Sequence, residues 1–402
     1  MIPVSQAIQI VLEHTPQLET EGVSLVEALG RTLAEDIVAD TDLPPFDRSQ
    51  MDGYALRAEE VQQTPARLRI AGESIAGKGW HHELQAGTAV RIMTGAPVPV
   101  GADSVQQVEL TRELDEGTIV EILEPVNLGR SIVRRAAEIK AGEVVLRAGE
   151  RINAAMIAVL ASFGYPNVPV TAQPRVSVLA TGSELVAVSQ QPGLDQIRDS
   201  NNYSIGAYAK LAGALVKLLP LTGDEISLLK KQLAIAIERS DVVITSGGVS
   251  MGTYDFTKSA LRELGANILF ERVALRPGKP TVFAIMPNGT LVFGLPGNPV
   301  SVSVTFNLFA RAALLKMQGA SEPVLKTEVA LLSRPLKGSL DRESFLPAIL
   351  SGNEKGQLVA EPLKWGGSSD FVAFARATSL INVPAGKLRF EEGEPVRVVR
   401  LP

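Results

Sequence analysis

Between Arg175 and Gly319 the hydrophobic period of the chain switches repeatedly between that of a strand and that of a helix, which leaves few folds open. "RVSVLA" (Arg175 to Ala180), "LVKLLPL" (Leu215 to Leu221) and "DVVITS" (Asp241 to Ser246) read as strands buried on both faces. Ile205, Tyr208, Ala212 and Leu215 stand 3, 4 and 3 residues apart, and Ile226, Leu229, Leu233 and Ile237 stand 3, 4 and 4 apart, as on amphipathic helices. This βαβα order predicts an open, doubly wound, largely parallel α/β sheet with helices on both faces. "TVFAIMPNGTLVFGL" (Thr281 to Leu295) then reads as a hairpin, because Asn288-Gly289 supports a turn with φ > 0.

The flanks have other textures. Ile8, Val11 and Leu12 predict one N-terminal amphipathic helix, and "VSLVEALGRTLAEDI" (Val23 to Ile37) predicts a second through Leu25, Ala28, Leu29 and Leu33. Short alternating runs such as "ARLRIAG" and "TAVRIMTG", punctuated by Gly and Pro, fill the stretch from Pro44 to Ile139. "NAAMIAVLASFG" (Asn153 to Gly164) returns to a helix, and the chain from Glu322 onward alternates in short β-like runs. The expected organisation is a discontinuous helical and linker domain at 1–43 and 140–172, a β-rich insert at 44–139, an α/β domain at 173–321 and a C-terminal β domain at 322–402. A chain of 402 residues, 45% hydrophobic and 21% charged, fits such a multidomain globular protein. No long uncharged apolar window suggests a membrane span, and the N-terminus lacks the pattern of a secretory signal, so a cytoplasmic location is expected. A net charge of −5 argues against a broad nucleic-acid footprint, although "VRR" (Val133 to Arg135) is a local basic spot suited to small anions. With no cysteine, thiol nucleophiles, disulfides and thiolate metal sites are excluded.

Three loops open on the carboxyl edge of the predicted sheet, where open α/β sheets bind ligands. They are "TGSEL" (Thr181 to Leu185), "SGGVSMGTYD" (Ser246 to Asp255) and "GLPGNPVS" (Gly294 to Ser301), the last with Asn298 as N-cap and Pro299 at the first helical position. Each sets Gly beside Ser, Thr or Asn, so backbone N–H groups can cradle an anion. Any one such loop is more often a tight turn; three on one edge favour a ligand with phosphate-like oxygens. Glu184, Asp224 and Asp255 each follow a predicted strand, and converging carboxylates suit Mg2+. Zinc is disfavoured in a chain whose only histidines are His14, His81 and His82. "LRPGKPT" adds Arg276 and Lys279 in a proline-stiffened loop fit for oxyanion contact. Neither a GxxxxGK[ST] loop nor a GxGxxG after a strand is present.

Seven segments together resemble one family, the molybdopterin molybdenumtransferases, which includes the E domain of gephyrin. They are "PPFDRSQMDGYALR" (Pro44 to Arg57), "RIMTGAPVPVGAD" (Arg91 to Asp103), "LATGSEL", "IRDSN" (Ile197 to Asn201), "TSGGVSMGTYDFTK", "RPGKPTVF" and "GLPGNPVS". They occur in the family's order, and "MDGYA" with "RIMTGAP" separates this family from others that share only the α/β domain. The resemblance implies a Mg2+-dependent transferase of molybdenum cofactor synthesis that inserts molybdate into adenylylated molybdopterin and releases AMP. It also implies a homodimer of four-domain subunits with shared active sites, and other proteins of cofactor synthesis as partners. Carried over by motif, Asp52, Thr94, Glu184, Asp224 and Asp255 would be catalytic, with the last three holding the metal. Thr181, Gly182, Ser246, Gly247, Gly248, Pro296, Gly297, Asn298 and Pro299 would line the pterin and phosphate pocket. Arg276, Lys279, Arg342 and, from "GGSSD", Ser368 would meet molybdate. The chain departs from the family pattern at Ile139 in "RRAAEI", where an Asp is usual, at Ser183 in "TGSEL", where an acid is common, and at Pro347 in "LDRESFLPAIL", where many relatives place an Arg. A non-catalytic pterin-binding or scaffold protein of the same fold and a tungstate-inserting homologue are the alternatives; convergent acids favour a catalyst.

Overall fold

The computed structural model describes residues 1–222, 226–248 and 256–402. The chain divides into two compact units, one made of Met1–Glu35, Ala148–Ala154 and Asn167–Pro402, the other of Asp36–Arg147 and Ala155–Pro166.

The first unit holds the α/β sheet. Its six strands run in the order Leu215–Leu218, Arg175–Ala180, Val242–Ser246, Leu291–Leu295, Val282–Ile285, Asn267–Phe270. The first four are parallel and Asn267–Phe270 runs the same way, while Val282–Ile285 between them is antiparallel to both its neighbours. Alternate side chains go to opposite faces. Val178, Ile244 and Phe293 pack with Ile205, Val302 and Phe306 on one side, while Leu179, Val243 and Val292 pack with Leu229, Leu233 and Leu261 on the other. Each such fully buried side chain contributes about 1.5–3 kcal/mol, so both faces must stay covered. The hairpin turns where expected, at Gly289 with φ 89°. At the amino edge Asp241 accepts hydrogen bonds from the N–H and guanidinium of Arg175. Burial alone would raise that carboxyl, but Arg175 holds it below the ordinary value.

The helix Pro299–Met317 is long and apolar enough to span a membrane, yet it is 89% buried and forms the centre of the core. Leu275–Arg276 leaves the α/β region to pair with Glu343–Ser344, the start of a second sheet formed mainly by the C-terminal residues. In that sheet Glu343–Gly352 pairs with both Leu358–Pro362 and Ser379–Val383, closing a five-strand ring. The loop carrying Arg276 is thereby anchored beside Arg342.

The predicted helix over Val23–Ile37 is not formed. Thr20–Ser24 is a strand paired antiparallel with Asn167–Thr171, followed by a single 3-10 turn at Leu25–Glu27 and by Gly30 at φ 77°. Long-range pairing outweighs local periodicity here, and Val26 and Leu29 are left 89% and 61% exposed. Likewise Leu215 does not extend the helix of Ile205 and Tyr208. That helix ends at Leu211, Gly213 turns the chain at φ 88°, and Leu215 opens the edge strand.

The second unit is built on a mixed sheet ordered Ser104–Gln107, Gly53–Leu56, Thr88–Ile92, Ala66–Ser74, Ile119–Ile122, Thr111–Leu114, with Tyr54, Leu56, Leu68 and Ile122 in its core. Gly53 permits the closest approach of its strands: a Cβ there would lie 1.9 Å from the Gln106 carbonyl oxygen. The basic run is neutralised locally, Arg134 by Asp47 and Arg135 by Asp42, while Ile139 bridges Leu43 through the backbone.

Candidate functional site

Two adjoining cavities open in the first unit, at the carboxyl ends of the parallel strands. The first, of about 710 Å³, is lined by Thr181, Glu184, Ser246, Gly247, Gly297, Asn298 and Pro299, with Ile197, Asp199 and Asn201 from "IRDSN" and Ser369 and Phe371 from the C-terminal region. Gly247 (φ 90°) and Gly248 (φ 64°) are required by sterics. A Cβ on Gly247 would stand 2.3 Å from the Thr181 carbonyl oxygen, and one on Gly248 would stand 2.4 Å from the Thr257 hydroxyl. Gly182 abuts the Glu184 carboxylate.

Three of the amides expected to cradle an anion are already donated elsewhere. The N–H of Thr181 goes to the Ser246 carbonyl at 2.9 Å, that of Gly182 to Thr222 at 3.2 Å, and that of Gly247 to Leu295 at 3.3 Å. Strand ends need their ladder continued, so these groups shape the cavity instead of filling it. Asn298 caps its helix by backbone position alone: its side-chain amide reaches across to the Ser368 hydroxyl at 2.9 Å. Motif reading did not single out Asn201, whose amide donates at 2.7 Å both to the Ser246 hydroxyl and to the Gly297 carbonyl. One side chain therefore ties two of the three loops together. Its presence in "IRDSN" was the available signal.

The second cavity, of about 760 Å³, shares Asn298 with the first and is cationic. Arg276, Lys279, Lys337 and Arg342 line it, with Ser301, Ser344, Ser368 and Pro296. Gly278 (φ 116°) presses the loop of Arg276 and Lys279 against the central helix, where a Cβ would meet the Thr305 methyl at 2.4 Å. Val273 and Thr281 donate to the Lys279 carbonyl and hold its backbone in place. Arg342 contacts the Asp341 carboxylate at 3.1 Å, leaving Lys279, Arg276 and Lys337 to dominate the field. The Ser344 hydroxyl is buried with no partner among the described residues. An oxyanion is the ligand such a cavity suits.

Asp224 and Asp255 lie outside the described residues, so of the three acids expected to hold a metal only Glu184 is seen, exposed on the first cavity. No group of three His, Cys, Asp or Glu that could hold a metal ion occurs among the described residues. In the other unit Asp52 accepts from both the N–H (2.7 Å) and the hydroxyl (2.8 Å) of Thr94. Those two donors, the backbone one first, hold its carboxyl below the ordinary value. The pairing unites the two insert motifs "MDGYA" and "RIMTGAP" at one exposed carboxylate.

Residues 2–164 match the family model of the MoeA N-terminal region (domain I and II), 177–316 a probable molybdopterin binding domain, and 329–401 the MoeA C-terminal region (domain IV). A molybdopterin molybdenumtransferase of Bacillus subtilis (strain 168) is 36% identical over 99% of this chain and 94% of its own. The protein of that name from Haemophilus influenzae is 35% identical over 99% and 98%. The crystal structure of the molybdopterin biosynthesis moeA protein from Pyrococcus horikoshii OT3 superposes with a TM-score of 0.86 at 31% identity, covering 100% of both chains. Similarity of this extent, through all three regions in order, means that the chain belongs to the molybdopterin molybdenumtransferase family.

Proposed function

We propose that this transferase of molybdenum cofactor biosynthesis takes adenylylated molybdopterin and molybdate as substrates, depends on Mg2+, and releases AMP as molybdenum is left on the pterin dithiolene. The observation that carries this reading is the pair of cavities meeting at Asn298, one roomy enough for a nucleotide-sized ligand and the other lined by four cations. Mg2+ would be held by Glu184 with Asp224 and Asp255 and would neutralise phosphoanhydride charge. An all-carboxylate donor set, in a chain without cysteine, suits so hard a cation. Thr181, Gly182, Ser246, Gly247, Gly248, Gly297 and Pro299 would shape the pterin side. Arg276, Lys279 and Arg342 would draw molybdate in, and Ser368 would orient it. Since the Ser368 hydroxyl accepts from Asn298, its own proton is free to donate.

Lys279→Ala is expected to raise the molybdate concentration for half-maximal AMP release roughly ten- to a hundredfold, since a charge-assisted hydrogen bond is worth about 1.5–3 kcal/mol. Affinity for the pterin nucleotide should hardly change. Weakened pterin binding with unaltered molybdate dependence would instead make Lys279 a phosphate ligand.

The proposal extends to a cytoplasmic homodimer in which Asp52 of one subunit completes the site of its partner. Asp52 and Thr94 support this, because they form a prepared, exposed carboxylate on the insert. Co-expressed Asp52→Ala and Asp255→Ala chains should then regain part of the activity that neither has alone, through one intact composite site. Recovery no greater than either single variant, or a monomeric mass in solution, would refute sharing.

A further inference from the structure

We propose that Phe371 is the residue that recognises a flat heteroaromatic ring of the substrate by stacking in the first cavity. This rests on the pterin-nucleotide reading given above. Phe371 lies on the one-turn helix Phe371–Phe374 and is 50% exposed while lining the cavity, whereas Phe374 of the same turn is 6% exposed and locked into the core. An exposed phenylalanine on a fixed backbone is what stacking needs, because little ordering entropy remains to be lost on binding.

The turn is held from both sides. The Asp370 carboxylate accepts from the N–H groups of Gly366 (2.8 Å) and Ala373 (3.2 Å), and Ser368 accepts from Val300 N–H (3.0 Å) and from the Asn298 side chain (2.9 Å). This short strap thus presents Ser368 to the cationic cavity and Phe371 to its neighbour. Ile197, 58% exposed, gives the first cavity a second apolar surface. Polar groups such as Glu184 and Asn201 line the remainder, so a planar ring and its polar edges are both provided for.

Adenylylated molybdopterin carries two such rings, adenine and pterin, and calorimetric titration of the full-length protein with AMP and with molybdopterin separates them. Phe371→Leu keeps apolar bulk but has no π face; Phe371→Tyr keeps the face. Phe371→Leu and Phe371→Ala are expected to bind one of the two ligands about ten- to a hundredfold more weakly, with Phe371→Tyr retaining most of the affinity. The ligand that is lost names the ring. Wild-type affinity of Phe371→Leu for both ligands would overturn the proposal, as would equal losses for both, which would mean a displaced strap. If the unaltered protein binds neither ligand nor adenylylated molybdopterin, the underlying reading fails and this inference with it.

Discussion

Asp255→Asn is expected to bind adenylylated molybdopterin with nearly native affinity and to lose roughly two to three orders of magnitude in AMP release. A cation beside a phosphoanhydride supplies several kcal/mol of transition-state charge stabilisation, and each 1.4 kcal/mol is about tenfold in rate. Replacing one of its three proposed carboxylates leaves the cavity walls at Thr181, Ser246 and Asn298 intact, so binding and turnover should separate. Equilibrium binding and single-turnover AMP release, measured on one preparation, check both halves. Native turnover would remove Asp255 from the reaction, and loss of binding would make it a pterin contact.

Gly247→Ala should be the most damaging small substitution in the first cavity. Gly247 holds φ at 90°, which costs a residue with a Cβ about 1–2 kcal/mol. The added methyl would also sit 2.3 Å from the Thr181 carbonyl oxygen, so two strand ends must move apart, at about 1–3 kcal/mol more. The expected result is a loss of about 2–5 kcal/mol in the stability of the α/β region together with weakened pterin-nucleotide binding. Gly297→Ala is the matched control. Its nearest neighbour would be the Gly247 Cα at 3.8 Å, and its φ lies outside the left-handed region, so denaturant unfolding should hardly change. Equal unfolding midpoints for the two variants would show that the loop is not held as described.

Much of this was legible in the chain. The α/β sheet could be read because its strands are continuous apolar runs whose helices repeat at 3 and 4 residues, and because parallel sheets bury both faces. The ligand-facing loops could be located because glycine is needed where backbone passes close to backbone, as at Gly247. What could not be read depends on partners distant in sequence. Thr20–Ser24 is a strand only because Asn167–Thr171 lies beside it. Asn201 matters because Ser246 and Gly297, 45 and 96 residues away, come to its two N–H groups. The amides of Thr181, Gly182 and Gly247 looked available until their strand-end acceptors were in view. Nothing in the local pattern around Phe371 distinguishes its exposed ring from the buried one of Phe374. Arg276 and Arg342 line one cavity because Leu275–Arg276 joins the C-terminal sheet, a pairing that two residues are too short to advertise.

The most direct measurement is AMP release by the purified protein incubated with adenylylated molybdopterin, with Mg2+ and molybdate added singly and together. The expected result is stoichiometric AMP and pterin-bound molybdenum only when both are present, with Lys279→Ala shifting the molybdate dependence and Asp255→Asn slowing the reaction by roughly two to three orders of magnitude. Tight binding of the pterin nucleotide with no AMP released under any combination would contradict it and leave a pterin-holding protein without turnover.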